Sequence, residues 1–143
     1  MIFGKILYIS DNIAHVENVS KDTITADLMN IHVIFEDNDQ RILGEVVELN
    51  DEEIKIRFLG EYVNDKYVNG VIRKPLLSSK LRIINSEELL ELVGTLSNKS
   101  FVLGDSATYK GFQICPNIND LFSNHLAIFG NSGSGKSCGV SRI

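Results

Sequence analysis

Gly130-Asn131-Ser132-Gly133-Ser134-Gly135-Lys136-Ser137 fits the spacing G-x-x-x-x-G-K-[ST] at every fixed position. A polyphosphate needs several backbone N–H groups turned toward it at once. Glycine allows the positive φ values that curl a chain into such a nest. Gly130, Gly133 and Gly135 supply that freedom, and Asn131, Ser132 and Ser134 contribute their amides. In this pattern Lys136 is the candidate catalytic cation for the β- and γ-phosphates of ATP, and the Ser137 hydroxyl is the candidate ligand for Mg²⁺. Cys138 follows at once and is grouped with the nucleotide-contacting residues, although a thiol there more often packs. The plain competing account is a Gly/Ser linker that happens to hold a lysine. By composition alone the full pattern arises in well under ~1% of chains this long, so a nucleotide-phosphate site is the better reading.

A phosphate loop works only when rigid elements hold it. Leu126-Ala127-Ile128-Phe129 reads as a short apolar strand leading into it, and a helix is predicted to begin at its far end, with its dipole toward the anion. The fold also needs a parallel sheet, with a carboxylate on another strand to hold the metal and orient water. Only six residues, ending at Ile143, follow Ser137. The expectation is therefore an amino-terminal portion of a longer ATPase, with the α/β nucleotide-binding domain only begun.

The upstream chain reads as mainly β. Ile2–Ser10 and Ile13–Val19 are strands joined at an Asp11-Asn12 turn; Lys21–Asn30 is irregular; Ile31–Phe35 and Arg41–Asn50 are further strands. Gly44 inside the last suggests a bulge or sharp bend. Ile54-Lys55-Ile56-Arg57-Phe58 alternates and must have one buried face. Tyr67–Lys74 continues the pattern up to Pro75, and Leu81–Ile84 can close the sheet. The prediction is a small antiparallel β-barrel over residues 1–84, since closure removes exposed edges. Asn85 with Glu88 three positions on, then Leu89, Leu90, Leu92 and Val93 before Gly94, is a short helix with start and stop signals. It opens a joint over 85–99. From 100 to 143 the nucleotide-binding part begins, with strands at Ser100–Gly104 and Phe112–Cys115, a Lys110-Gly111 turn, and a polar loop at Asn117–Asn124.

Composition narrows the partners. Residues 1–65 carry 14 acids and 5 bases, and residues 66–143 carry 5 acids and 9 bases, which together give the net −5. An acidic amino-terminal part is a poor match for a DNA backbone and suits solvent or a basic protein better. Cys115 and Cys138 form no metal or redox motif, and no run is long enough to span a membrane, so reduced thiols in the cytoplasm are expected. His125 is read as ordering the loop. His15 and His32 lie in strand patterns with no partner at metal-ligand spacing and are read as structural. Arg73, Lys74, Lys80 and Arg82 are read as a solvated basic face, because no aromatics are interleaved with them. Asp37, Asp39, Asp51, Glu52 and Glu53 are read as turn solubilisers.

Three stretches are similar to the HerA-like ATPases of the FtsK–HerA group. Arg41-Ile42-Leu43-Gly44-Glu45-Val46-Val47 resembles the ILGxV segment of that family's amino-terminal HAS barrel. Phe101-Val102-Leu103-Gly104 resembles the strand before its ATPase core, and Asn124–Gly130 runs into the Walker A loop as the family's does. The family usually has Thr near the middle of the loop, where Asn131-Ser132 stand. The resemblance implies a hexameric ring that uses ATP and Mg²⁺ to move along double-stranded DNA as a translocase or helicase. It also implies an effector partner: a NurA-like nuclease, or in anti-phage defence a sirtuin-like NADase or another effector. The barrel would serve assembly and effector docking. The Walker B acids, the trans-acting arginine and the DNA-contacting loops have no counterparts in this sequence. Two alternatives remain open at this point. One takes the 143 residues as a non-catalytic assembly or docking module, and the other takes the loop as that of another P-loop enzyme such as a kinase or GTPase.

Overall fold

Alternation along residues 54–58 buries Ile54, Ile56 and Phe58 on one face and turns Lys55 and Arg57 to the other. In the computed structural model, which describes residues 3–19, 28–123, 125 and 127–141, this segment belongs to the longest strand of an antiparallel sheet. The strands are β1 (Phe3–Ser10), β2 (Ile13–Asn18), β3 (His32–Glu36), β4 (Arg41–Leu49), β5 (Glu53–Val63), β6 (Lys66–Asn69) and β7 (Lys80–Ile83). The order is β1-β2-β5-β4-β3-β7, and β6 pairs with β5. Strand β2 pairs with residues 53–57 of β5 and β6 with residues 60–63, so the two occupy successive stretches of β5.

The apolar face gathers Ala14, Val16, Val33, Phe35, Ile42, Val46, Ile54 and Ile56, all nearly or fully buried, with Phe35 and Phe58 edge to face at 5.2 Å. Register shifts interrupt β1 against β2 at two places, and β4 against β5 between Leu43 and Gly44 and between Val46 and Glu48. Such bulges raise the local twist, and the sheet curls into an antiparallel half-barrel. The fold is mainly β, as expected. Full closure is not seen: among the described residues no ladder joins β1 to β7. The expected strand Tyr67–Lys74 is a strand only over Lys66–Asn69, with an isolated bridge at Gly70, and a non-strand segment leads past Pro75 to β7. Of the irregular stretch at Lys21–Asn30, positions 21–27 lie outside the described residues, and Leu28–Asn30 form a turn with Asn30 at φ 64°.

Gly44 stands at one of these register shifts. A Cβ there would stand 2.6 Å from Ile56 Cγ2 and 3.1 Å from both Arg57 O and Phe35 Cε2. Ile56 and Phe35 are core side chains with nowhere to retreat. Gly44→Ala should therefore cost about 1–3 kcal/mol by overpacking, read as a lower midpoint in denaturant. An unchanged midpoint would show that the bulge relaxes freely.

His32, opposite Glu45 in the β3–β4 ladder, has its imidazole pKa lowered from the ordinary 6.5, by burial first, with Glu45 opposing the shift. The unfolded chain accepts a proton more readily than the folded one. Stability from this group is present above 6.5 and drains away as pH falls through that value toward the lower folded one. Thermal melts along an acid series should show the loss, and His32→Gln should flatten it.

The chain divides into two compact units, Met1–Ile84 and Asn85–Ile143. The second opens with α1 (Ser86–Val93), started by the expected capping box: Glu88 N–H donates to the Asn85 side chain at 2.8 Å, and Asn85 N–H to Glu88 Oε2 at 3.1 Å. Strands β8 (Gly104–Asp105) and β9 (Gln113–Ile114) form a short hairpin around a turn with Gly111 at φ 86°. They are shorter than the strands predicted at Ser100–Gly104 and Phe112–Cys115. The predicted polar loop at Asn117–Asn124 is instead helix α2 (Ile118–Phe122), capped by the Asn117 side chain accepting from Asn119 N–H. Among the described residues no helix is long and apolar enough to cross a membrane.

Candidate functional site

The glycine-rich loop leads into α3 (Lys136–Val140), so the helix predicted after it forms. Gly133 has φ 81°, and Gly135, the residue before the helix, has φ 82° and ψ 13°. Both are positive φ values that glycine adopts without the steric penalty of a Cβ. Ser134 N–H donates to Asn131 O at 3.2 Å and ties the bend. Among the described residues no acceptor meets the N–H groups of Gly133 or Gly135, which leaves them open to an anion.

Lys136 folds back over this bend. Its Nζ donates to Gly130 O at 2.6 Å and to Asn131 O at 2.7 Å. A Cβ on Gly130 would meet Ser134 Oγ at 2.5 Å and the Lys136 stem at 3.4–3.5 Å, so residues four and six apart in sequence converge on one spot. An ammonium ion is thus placed at the mouth of the bend, held only by carbonyls that ligand oxygens can replace. Asn131, Ser132 and Ser137 are exposed, as is the free thiol of Cys138; the packing role expected for that cysteine is not what the structure shows. Cys115 is free and buried. His125 is exposed.

The strand predicted before the loop is a correction. Ala127–Phe129 form no strand, Phe129 is 91% exposed, and Leu126 lies outside the described residues. A strand is held by its neighbours' hydrogen bonds, and no ladder among the described residues reaches this segment. The donor set that remains fits a phosphate: unpaired amides, one ammonium ion and an exposed hydroxyl. Among the described residues no group of three His, Cys, Asp or Glu side chains could hold a metal by itself.

A second polar cluster escaped the sequence reading. In the first unit His15 Nδ1 lies 3.1 Å from Glu53 Oε2, and His15 Nε2 lies 3.1 Å from Ser10 Oγ. Glu53 is therefore a histidine partner and not a turn solubiliser. The two are 38 apart in sequence, and only the β2–β5 register brings them together. An open groove of about 510 Å³ elsewhere in this unit is lined by Asp37 and Asp39 with Arg73, Lys74 and Lys80, charges of both signs. Part of the basic face is engaged within the unit: Arg82 pairs with Glu36 at 3.2 Å, and Lys74 Nζ donates to Asp11 O.

Among curated proteins none matches the chain. Residues 101–143, which contain the β8–β9 hairpin, α2, the glycine-rich loop and α3, match the family described as helicase HerA, central domain. That agrees with the resemblance carried by Phe101–Gly104 and Asn124–Gly130, and the curled sheet upstream is consistent with the amino-terminal barrel the resemblance implies. The likeness to the HerA central domain is carried by these residues, 101–143.

Proposed function

We propose that Gly130–Cys138 binds the phosphates of ATP, with Lys136 facing the β- and γ-phosphates and Ser137 a ligand of the accompanying Mg²⁺. The observation that supports this best is the Lys136 ammonium folded over a bend whose Gly133 and Gly135 amides are open, within the segment matching the HerA central domain. When bound, MgATP supplies a γ-phosphoryl group for transfer to water. The chain's own residues bind and orient it: the amides fix the phosphates, Lys136 trades two carbonyls for phosphate oxygens, and the hydroxyl of Ser137 completes a position on the metal. Following the resemblance, the wider reading is an ATP-driven DNA translocase acting as a hexameric ring on double-stranded DNA. Its curled sheet would serve assembly and the docking of a nuclease or NADase effector, in DNA end processing or anti-phage defence.

Exposure of the loop and the absence of a strand at Ala127–Phe129 favour a second reading for these 143 residues taken alone: an assembly module that holds ATP weakly and hydrolyses none. Calorimetric titration with MgATP tests the first claim; saturable heat is expected, and none at millimolar nucleotide would overturn it. Phosphate release with and without duplex DNA then separates the readings. Binding without turnover fits the module, and DNA-stimulated turnover by the chain itself would refute it.

A further inference from the structure

On the face of the sheet away from the core, three side chains from three neighbouring strands form one hydrogen-bonded chain. Ser10 ends β1, His15 lies in β2 and Glu53 begins β5. Alternation fixes the face: Ala14, Val16, Ile54 and Ile56 point into the core, so His15 and Glu53 point away from it. Ser10 Oγ is 3.1 Å from His15 Nε2, and His15 Nδ1 is 3.1 Å from Glu53 Oε2. A carboxylate only accepts, so in the neutral imidazole Nδ1 carries the proton and the Nε2 lone pair is left to accept from the Ser10 hydroxyl. The ring is held from its flat side by Tyr8, stacked at 4.0 Å and 15°. Lys55 Nζ, 3.9 Å from Glu53 Oε1, engages the carboxylate oxygen that the imidazole does not use. His15 is only 8% exposed, whereas Ser10 at the hairpin end is open to solvent.

We propose that Ser10 is an activated nucleophile, with His15 as its general base and Glu53 as the group that positions the imidazole. These are the mutual relations that define a nucleophile, its base and the base's orienter, recognised by geometry and not by position in sequence. Because Ser10 is exposed, the substrate class is set by the leaving group: small esters with an activated alcohol or phenol. Ser10 Oγ forms a bond to the ester carbonyl carbon while its proton passes to His15 Nε2. The carbon–oxygen bond to the leaving group then breaks, and that oxygen departs with the proton from His15. Water, deprotonated by the same nitrogen, attacks the acyl-serine and releases a carboxylic acid with Ser10 restored. Lys74 Nζ donates to the carbonyl of Asp11, so a cation stands one residue from the nucleophile on the side of the Asp11-Asn12 turn. This site is separate in sequence from the phosphate loop and its test does not depend on nucleotide binding.

The probe is p-nitrophenyl acetate with the 143-residue chain. The expected result is a burst of p-nitrophenolate stoichiometric with protein and an acetyl adduct mapped to Ser10 by peptide mass spectrometry. Ser10→Ala, at an exposed position, should keep the circular dichroism of the parent and lose both burst and adduct. His15→Gln should slow acylation by about 10²–10⁴-fold. Since that position is buried, Glu53→Gln at the half-buried end of the chain serves as the second variant, with slower acylation and an unchanged sheet expected. Acetylation confined to lysines or Tyr8, or a Ser10→Ala protein that releases p-nitrophenolate at the parental rate, would overturn the assignment and leave a hydrogen-bonded histidine with a purely structural role.

Discussion

Lys136→Ala should weaken MgATP binding by about 10- to 100-fold, the equivalent of losing roughly 1.5–3 kcal/mol of charge-assisted hydrogen bonding. Before nucleotide arrives the ammonium is held by Gly130 O and Asn131 O. Both partners belong to the bend itself, so the side chain also braces the loop it serves. Alanine removes the brace and the cation together. Any turnover should fall further than binding, by about 10²–10³-fold, because charge that develops on the transferring phosphoryl group loses a fixed counterion. Lys136→Arg should not restore it: the planar fork of guanidinium donors cannot occupy the point between two carbonyls that a compact ammonium fills. Calorimetry against the parent chain reads the binding loss directly. An alanine variant with the parental Kd would show that the nucleotide, if bound, is held elsewhere.

How much of this was legible beforehand depended on whether a feature was local. The capping box at Asn85 and Glu88, the Asp11-Asn12 turn with Asp11 at φ 47°, and the strand pattern at residues 54–58 are each specified by a few consecutive residues, and each forms as read. Of the three glycines expected to supply positive φ to the glycine-rich loop, Gly133 and Gly135 do so and Gly130 does not. Gly44 was readable as a bulge, and the register does slip beside it, but the side chains it makes room for, Ile56 and Phe35, come from two other strands. The misreadings share a cause. Ala127–Phe129 has strand-forming residues, yet a strand exists only when another supplies hydrogen bonds, which residue types do not report. Residues 117–124 have the polar composition of a loop, but the Asn117 cap, which starts a helix at little cost, decides otherwise. The Ser10–His15–Glu53 chain was out of reach for the reason that it needs two registers, β1 with β2 and β2 with β5, to be known at once.

Gly94→Ala should be among the most damaging single substitutions in the second unit, and a comparison with Gly111→Ala isolates why. Both glycines have positive φ, 80° and 86°. At Gly111 a Cβ would meet nothing within 4 Å, so alanine there carries only the backbone strain of a left-handed conformation, about 1 kcal/mol. Gly94 combines φ 80° with ψ 161°, a region open essentially to glycine alone, where strain runs to roughly 1–3 kcal/mol. A Cβ there would also overlap the carbonyl oxygen of Cys115, a backbone atom that cannot rotate aside. That contact is the seam of the unit: Cys115 N–H donates to Val93 O at 2.9 Å, so the end of α1 is stitched to the residue after β9. Relieving the clash means parting the stitch, and Leu89 and Cys115 are among the few apolar side chains buried here to resist it. Hydrogen exchange should show protection lost at the Cys115 and Leu89 amides in Gly94→Ala, with the β2–β5 ladder of the first unit unaffected. Gly111→Ala should leave the same amides close to parental. Equal losses in the two variants would mean that φ alone sets the cost and that the approach of Cys115 to Gly94 contributes nothing.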